Sequence, residues 1–261
     1  MPKDGSAVLS EIKRGYIETK LKEGVRSDGR KLDEFRKISI QTNYIPRANG
    51  SAFVNLGNTK ILVGIKVESG EPFPDTPNQG VLTTNVELLP MAFPTFEPGP
   101  PNDESIEIAR VVDRGIRESK MIDLEKLCVE PGKKVMIVFV DIDILDYDGN
   151  LIDACTMGVA SALSTAYYKT DDDKKEQKLP VRSLPVAVTV SKIGTELLCD
   201  PDLEEEQMAS ARLTVTLNDN GNLCAMQKGN SGTFTIDEVK KAIAISDKAG
   251  KDVRAYIKQV I

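Results

Sequence analysis

Twice along this chain a series of short, alternating apolar and polar segments runs into an unbroken helical pattern, and that repetition restricts the fold more than any other feature. Lys37 to Thr42, Ser51 to Leu56 and Thr59 to Val67 alternate as half-buried strands, with Gly57-Asn58 where a two-residue hairpin needs positive φ. One more strand is predicted at Val86 to Met91, between loops rich in proline and glycine. A helix follows from Ile106 to about Lys120, capped by Asn102, Asp103 or Ser105. Val135 to Leu145 is strand-like, and Leu151 to Tyr168 has the Ala-rich composition of a buried helix. The second series comprises Leu184 to Lys192, Glu196 to Cys199, Arg212 to Leu217 and Leu223 to Lys228, with Asn220-Gly221 as a hairpin signal. Thr235-Ile236-Asp237-Glu238 is a capping box that opens the last helix. The pattern predicts a duplicated α+β unit with halves at 26–182 and 183–261, together one compact domain. An amphipathic helix within 1–25 precedes it, carrying Val8, Leu9, Ile12, Tyr16, Ile17 and Leu21 and ended by Gly24.

Composition limits the chemistry. The 261 residues include no histidine, which removes Ser-His-Asp and Cys-His nucleophile systems and imidazole metal sites. Catalysis or binding must therefore rest on carboxylates, arginines, lysines or backbone. Cys128, Cys155, Cys199 and Cys224 stand singly, without the C-x-x-C pairs of zinc ribbons and redox motifs, and read as reduced. The first twenty residues are interrupted by charge, and no stretch approaches the roughly 20 apolar residues of a membrane span, so a soluble cytoplasmic protein is expected.

Arg110, Arg114 and Arg117 recur at helical spacing on one face of the 106–120 helix. Their stripe is about ten ångströms long at ~1.5 Å rise per residue, long enough to follow a phosphate backbone. The same residues fit a solvated face, with Asp113 paired to Arg117 and Arg114 to Glu118. Asp141, Asp143, Asp146 and Asp148 fail the calcium-loop spacing, because Ile144 and Cys155 would fall on ligand positions. Asp141 and Asp143 share one strand face and read as a wet edge or partner surface rather than a metal site. The run from Asp200 to Glu206 and the connector from Lys169 to Lys178, acidic over 171–176, read as solvated. No phosphate-cradling glycine motif occurs.

Several longer blocks resemble the RNase PH family, and within it the non-catalytic type of ring subunit in the archaeal exosome. They are Arg26-Ser-Asp-Gly-Arg30, Gly50-Ser-Ala-Phe-Val-Asn-Leu-Gly-Asn-Thr59, Asp75-Thr-Pro-Asn-Gln-Gly80 and Asn85-Val-Glu-Leu-Leu-Pro90. Phe96-Glu-Pro-Gly-Pro-Pro101, Glu107-Ile-Ala-Arg-Val-Val-Asp-Arg114 and Leu145-Asp-Tyr-Asp-Gly-Asn150 continue the series, in one order over nearly the whole chain. The resemblance implies the ribosomal protein S5 domain 2-like fold, with helices packed on mixed sheets. It also implies a six-membered ring that shortens single-stranded RNA from its 3′ end with phosphate as the attacking group.

Active members of the family carry a Gly-Ser-Arg or Gly-Thr-Arg triplet before the central helix to hold phosphate. Asn150, Leu151 and Ile152 match it here, and neither Leu151 nor Ile152 has a side-chain donor. Active members also carry two aspartates six residues apart for metal binding and proton handling, and Glu206 and Arg212 match those. A cation at 212 opposes magnesium about as strongly as an aspartate favours it, ~4 kcal/mol for two unit charges 4 Å apart at a dielectric near 20. The resemblance therefore implies a silent subunit with no catalytic residue or metal of its own. Phosphate and magnesium are expected at the site of a catalytic RNase PH-like partner, in a ring built as a trimer of heterodimers with RNA-binding cap proteins. Arg110 and Arg114, with Arg117 a weaker candidate, would grip the RNA. The alternatives are a self-sufficient homohexameric phosphorolytic exoribonuclease and an unrelated metal-dependent hydrolase built on Asp141 and Asp143.

Overall fold

The computed structural model describes residues 15–170 and 176–261. Residues 15–22 form a helix, α1, whereas Val8, Leu9, Ile12 and connector residues 171–175 lie outside the described residues. The first sheet has six strands: β1 (Ile38–Thr42), β2 (Gly50–Leu56), β3 (Thr59–Gly70), β4 (Val81–Leu88), β5 (Cys128–Glu130) and β6 (Lys134–Asp146). Their order is β1-β2-β3-β6-β4, with β5 joined to β6. Helix α2 (Asp103–Glu118) lies between β4 and β5, and α3 (Leu151–Ser164) follows β6. A two-stranded ribbon, β7 (Tyr167–Tyr168) with β8 (Gln177–Lys178), leads to the second half. There β9 (Val186–Ile193), β10 (Glu196–Cys199), β11 (Ala211–Leu217) and β12 (Leu223–Gly229) form an antiparallel sheet in the order β10-β9-β11-β12. Helix α4 (Leu203–Met208) connects β10 to β11, and α5 (Ile236–Val260) closes the chain.

Burial follows from what covers each strand. Along β3, Ile61, Val63 and Ile65 are buried while Lys66 and Glu68 are exposed, the alternation of a sheet with one packed face. Nearly every residue of β9 is buried, because α3 packs against it from one side and α5 from the other. Every residue of α3 is buried between the two sheets, as its Ala-rich composition predicts. One continuous core runs through both sheets, and a satellite cluster joins Ile17 and Leu21 of α1 to Ile193 and Leu198.

Some expectations change. The strand placed at 86–91 is Val81–Leu88, paired in parallel with β6 from Val81–Ile137 to Leu88–Ile144, and Pro90 has no N–H with which to extend it. α3 stops at Ser164 because Tyr167 and Tyr168 pair with β8, which also gives part of the connector strand structure. Asp141 and Asp143 do not lie on an edge, because β6 sits between β3 and β4. The run from Asp200 to Glu206 is not solvated: Asp200 and Glu205 are buried, and Asp202 to Glu205 make the capping box of α4.

Asp200 is buried because three arginines converge on this corner. Its carboxylate accepts from the Arg36 backbone N–H at 2.7 Å, Arg36 Nη2 at 2.8 Å, Arg30 Nη1 at 3.0 Å and Asn150 Nδ2 at 2.7 Å. Arg26, almost wholly buried, donates Nε to Glu205 Oε1 at 2.8 Å, contacts Glu205 Oε2 through Nη2, and reaches the Cys199 carbonyl at 2.8 Å. Burial alone would push the Asp200 carboxyl up, but the bonds and charge of Arg36 outweigh it and hold the group below the ordinary carboxylate range. Asp200→Asn keeps the shape and tolerates the positive φ of 47°. It leaves Arg36 with only the more distant carboxylate of Asp148, 3.9 Å away, so a loss of about 3 kcal/mol in urea unfolding is expected.

Candidate active site

The site is built around the first turn of α3. Gly149 and Asn150 both have positive φ, 85° and 58°, and swing the chain from the end of β6 into the helix. Only glycine fits at 149, where a Cβ would lie 2.5 Å from the carbonyl carbon of Asp202. Thr59 Oγ1 donates to the Gly149 carbonyl at 2.8 Å, and the Asn150 amide is turned inward, donating to Asp153 at 2.8 Å and to Asp200. Leu151 and Ile152 are buried in the core, so neither presents a side chain to a ligand.

What faces the backbone N–H of Asn150 is the chain's own Glu206. Its Oε2 accepts from that N–H at 2.8 Å and lies 3.4 Å from the Tyr147 hydroxyl. Arg212 on β11 sends Nη1 to Glu206 Oε1 at 3.5 Å and Nη2 to Glu107 Oε2 at 2.9 Å. The guanidinium lies over Gly229, its partner on β12, where a Cβ would collide with Arg212 Nε. Desolvation and the charge of Glu206 push the Glu104 carboxyl above its ordinary value, with Arg212 acting against them. Burial and the same carboxylates raise Tyr147, keeping its hydroxyl protonated as a donor. Glu206 and Arg212, six residues apart in sequence, thus meet in space, although Glu206 belongs to α4 rather than to a strand.

Glu104, Glu107 and Tyr147 complete this cluster and had no assigned role in the sequence reading. The available signal was the i, i+3 pair of glutamates on the first turns of the arginine helix. The cluster suits magnesium poorly, since a guanidinium already bridges Glu206 and Glu107.

Arg110, Arg114 and Arg117 are all exposed on α2. Arg117 pairs with Asp113 at 2.7 Å, as the helical spacing predicts. The expected pair of Arg114 with Glu118 does not form, and among the described residues neither Arg110 nor Arg114 makes an ion pair. Both line a groove between α2 and β12, together with Asp103, Ile106, Glu107 and Gln227. Glu107 links this groove to the Arg212 cluster.

This arrangement, two helices held between two sheets with a polar cluster at the start of the second, defines a class: the chain belongs to the RNase PH or 3′ exoribonuclease family. Domain 1 of that family matches residues 34–168 and domain 2 matches residues 183–249. Among individual proteins, it is 60% identical to the exosome complex component Rrp42 of Thermoplasma volcanium, over 97% of this chain and 98% of that protein. A solved Archaeoglobus fulgidus exosome with RNA bound to the active site contains a chain 46% identical, with a TM-score of 0.92, covering 95% of this chain and 99% of that one. A solved archaeal exosome core contains one 43% identical, with a TM-score of 0.88, covering 99% of this chain and all of that one. No helix among the described residues is long and apolar enough to cross a membrane.

Asp153, beneath the site, is fully buried and accepts from the Thr189 N–H and hydroxyl, each at 2.8 Å, and from Asn150. Burial, opposed by these bonds, pushes its carboxyl up to about 7. The folded protein then holds a proton that the unfolded chain releases near pH ~4, so stability falls as pH rises between these values, by up to ~1.4 kcal/mol per pH unit. Urea titrations across this range should show that slope, and Asp153→Asn should flatten it.

Proposed function

We propose that the chain is a ring subunit of an archaeal-type exosome that lends RNA contacts to a neighbouring active site and performs no phosphorolysis itself. The observation that carries this reading is the Glu206 carboxylate on the Asn150 N–H. Backbone N–H groups at a helix N-terminus are where the family's resemblance puts the attacking phosphate, and here a fixed negative charge stands in that place. A phosphate approaching it would meet the anion of Glu206, with Arg212 engaged by Glu206 and Glu107. Leu151 and Ile152 supply no side-chain donor in place of the arginine and hydroxyl of active members. With Arg212 engaged by two carboxylates and Glu206 on the Asn150 N–H, the cluster offers no cation to phosphate and no open carboxylate pair to magnesium, and both belong to a catalytic RNase PH-like partner in the hexameric ring.

The groove of Arg110 and Arg114 supports the second half of the proposal. Two exposed guanidiniums one helical turn apart, free of carboxylate partners among the described residues, match successive phosphates of a single strand. Arg117, tied to Asp113, contributes less. The net charge of −6 is compatible with this, since a few arginines lining a channel bind phosphate while the outer surface stays acidic. Cap proteins are assigned to one face of the ring by the same resemblance.

Two outcomes test this. The isolated chain, given phosphate, magnesium and a short single-stranded RNA, should release no nucleoside diphosphate; release would establish the self-sufficient homohexameric enzyme instead. In a ring reconstituted with the catalytic subunit, Arg110→Glu with Arg114→Glu should slow RNA shortening at least about tenfold and leave the particle mass unchanged, with a salt dependence shallower than that of the unsubstituted ring. Unchanged rates would assign the stripe to the protein surface alone.

A further inference from the structure

Glu107 occupies a position from which it should cancel the arginine stripe. It shares the groove face of α2 with Arg110, three residues on, and Arg114, seven residues on. Of the positions one turn away from it, 103, 104, 110 and 111, only 110 carries a cation, and a glutamate three residues before an arginine ordinarily pairs with it. Among the described residues no ion pair joins the two. Both carboxylate oxygens accept from the second sheet instead: Oε2 from Arg212 Nη2 on β11 at 2.9 Å, and Oε1 from Gln227 Nε2 on β12 at 3.4 Å.

Arg212 wins this carboxylate for two reasons. Its side chain is 17% exposed and that of Glu107 33%, so water screens their attraction less than it would screen a pair with the exposed Arg110. The guanidinium is also held independently of Glu107, lying over the bare backbone of Gly229 and reaching Glu206 with Nη1 at 3.5 Å. Glu206 has the Asn150 N–H as a second partner at 2.8 Å. Without Arg212, Glu107 would keep only the amide of Gln227, and the cation one turn along its own helix is Arg110.

We propose that Arg212 is a positioning residue for RNA: it draws Glu107 across to the second sheet and so keeps the Arg110 guanidinium open to a phosphate of the strand. This inference rests on the reading of Arg110 and Arg114 as RNA contacts, and it adds a residue that acts on the RNA without touching it. The cation at 212 then has a task besides its opposition to magnesium, because it sets how many cations the neighbouring groove can offer. Remove it, and Glu107 and Arg110 neutralise each other beside Arg114, leaving the groove one phosphate partner instead of two.

The test uses the ring reconstituted with the catalytic subunit and a labelled single-stranded RNA, whose affinity is followed over a salt series. Arg212→Met should weaken binding about threefold and flatten the log–log salt dependence by ~0.7, the share of one phosphate on a single strand, with the particle mass and the rate at saturating RNA retained. Arg212→Gln, which keeps donors for both carboxylates, serves the same test where the methionine variant does not assemble. Adding Glu107→Gln to either should restore affinity and slope, since no carboxylate is then left to close on Arg110. Adding Glu206→Gln instead removes the same charge from the other partner of the guanidinium and should restore neither. Unaltered affinity without Arg212, in a ring that Arg110→Glu with Arg114→Glu still weakens, overturns this inference and leaves the RNA reading standing. A loss that persists beside Glu107→Gln means that Arg212 touches RNA itself, and equal rescue by Glu206→Gln means that only total charge counts; either overturns it. If Arg110→Glu with Arg114→Glu leaves binding unchanged, the RNA reading fails and this inference with it.

Discussion

A single buried carboxylate fixes the relation between the two halves of this protein. Asp200 lies at the end of β10, yet its partners Arg30 and Arg36 precede β1, and Asn150 opens α3. Charge buried this deeply is tolerable only when every partner is in place, so the network selects one arrangement of the pieces and penalises the others. Arg36 also donates to the carbonyls of Asp148 and Gly149, at 2.5 Å and 3.2 Å, and thereby sets the approach of the chain to α3. The Arg-Ser-Asp-Gly-Arg block that helps identify the family is thus a structural clasp.

The strands and helices were readable because their burial is periodic. β3 and β6 show period two, α5 follows its capping box, and α3 is apolar on every side because it is covered on every side. The errors arose where long-range partners decide. Asp200 and Glu205 sit in what looks like a soluble acidic run, and only arginines more than 160 residues away make their burial possible. Local charge density carries no information about such partners. The boundaries of β4 and α3 moved for the same reason, since strand pairing set them.

The site was legible in part. Asn150, Leu151, Ile152, Glu206 and Arg212 were picked out by resemblance, and Asn150, Glu206 and Arg212 come together as one cluster. What no spacing could show is that Glu206 turns its carboxylate onto the Asn150 N–H, or that Glu107 takes the other side of the guanidinium. A helix of six residues between β10 and β11 aims Glu206, and its orientation depends on a capping box whose glutamate is itself clamped by Arg26. The clasp and the cluster are therefore neighbours in structure: Glu205 belongs to one and Glu206 to the other.

Arg212 resting on Gly229 ties two positions on adjacent strands together. A side chain at 229 would press on Cγ, Cδ and Nε of Arg212 and force that side chain, which counters Glu206 and Glu107, to shift. An aspartate at 212 would need no bare backbone beneath it, but it would add a further acid to that pocket. Positions 212 and 229 are consequently not independent, and a substitution at one changes the space and charge that the other must accommodate.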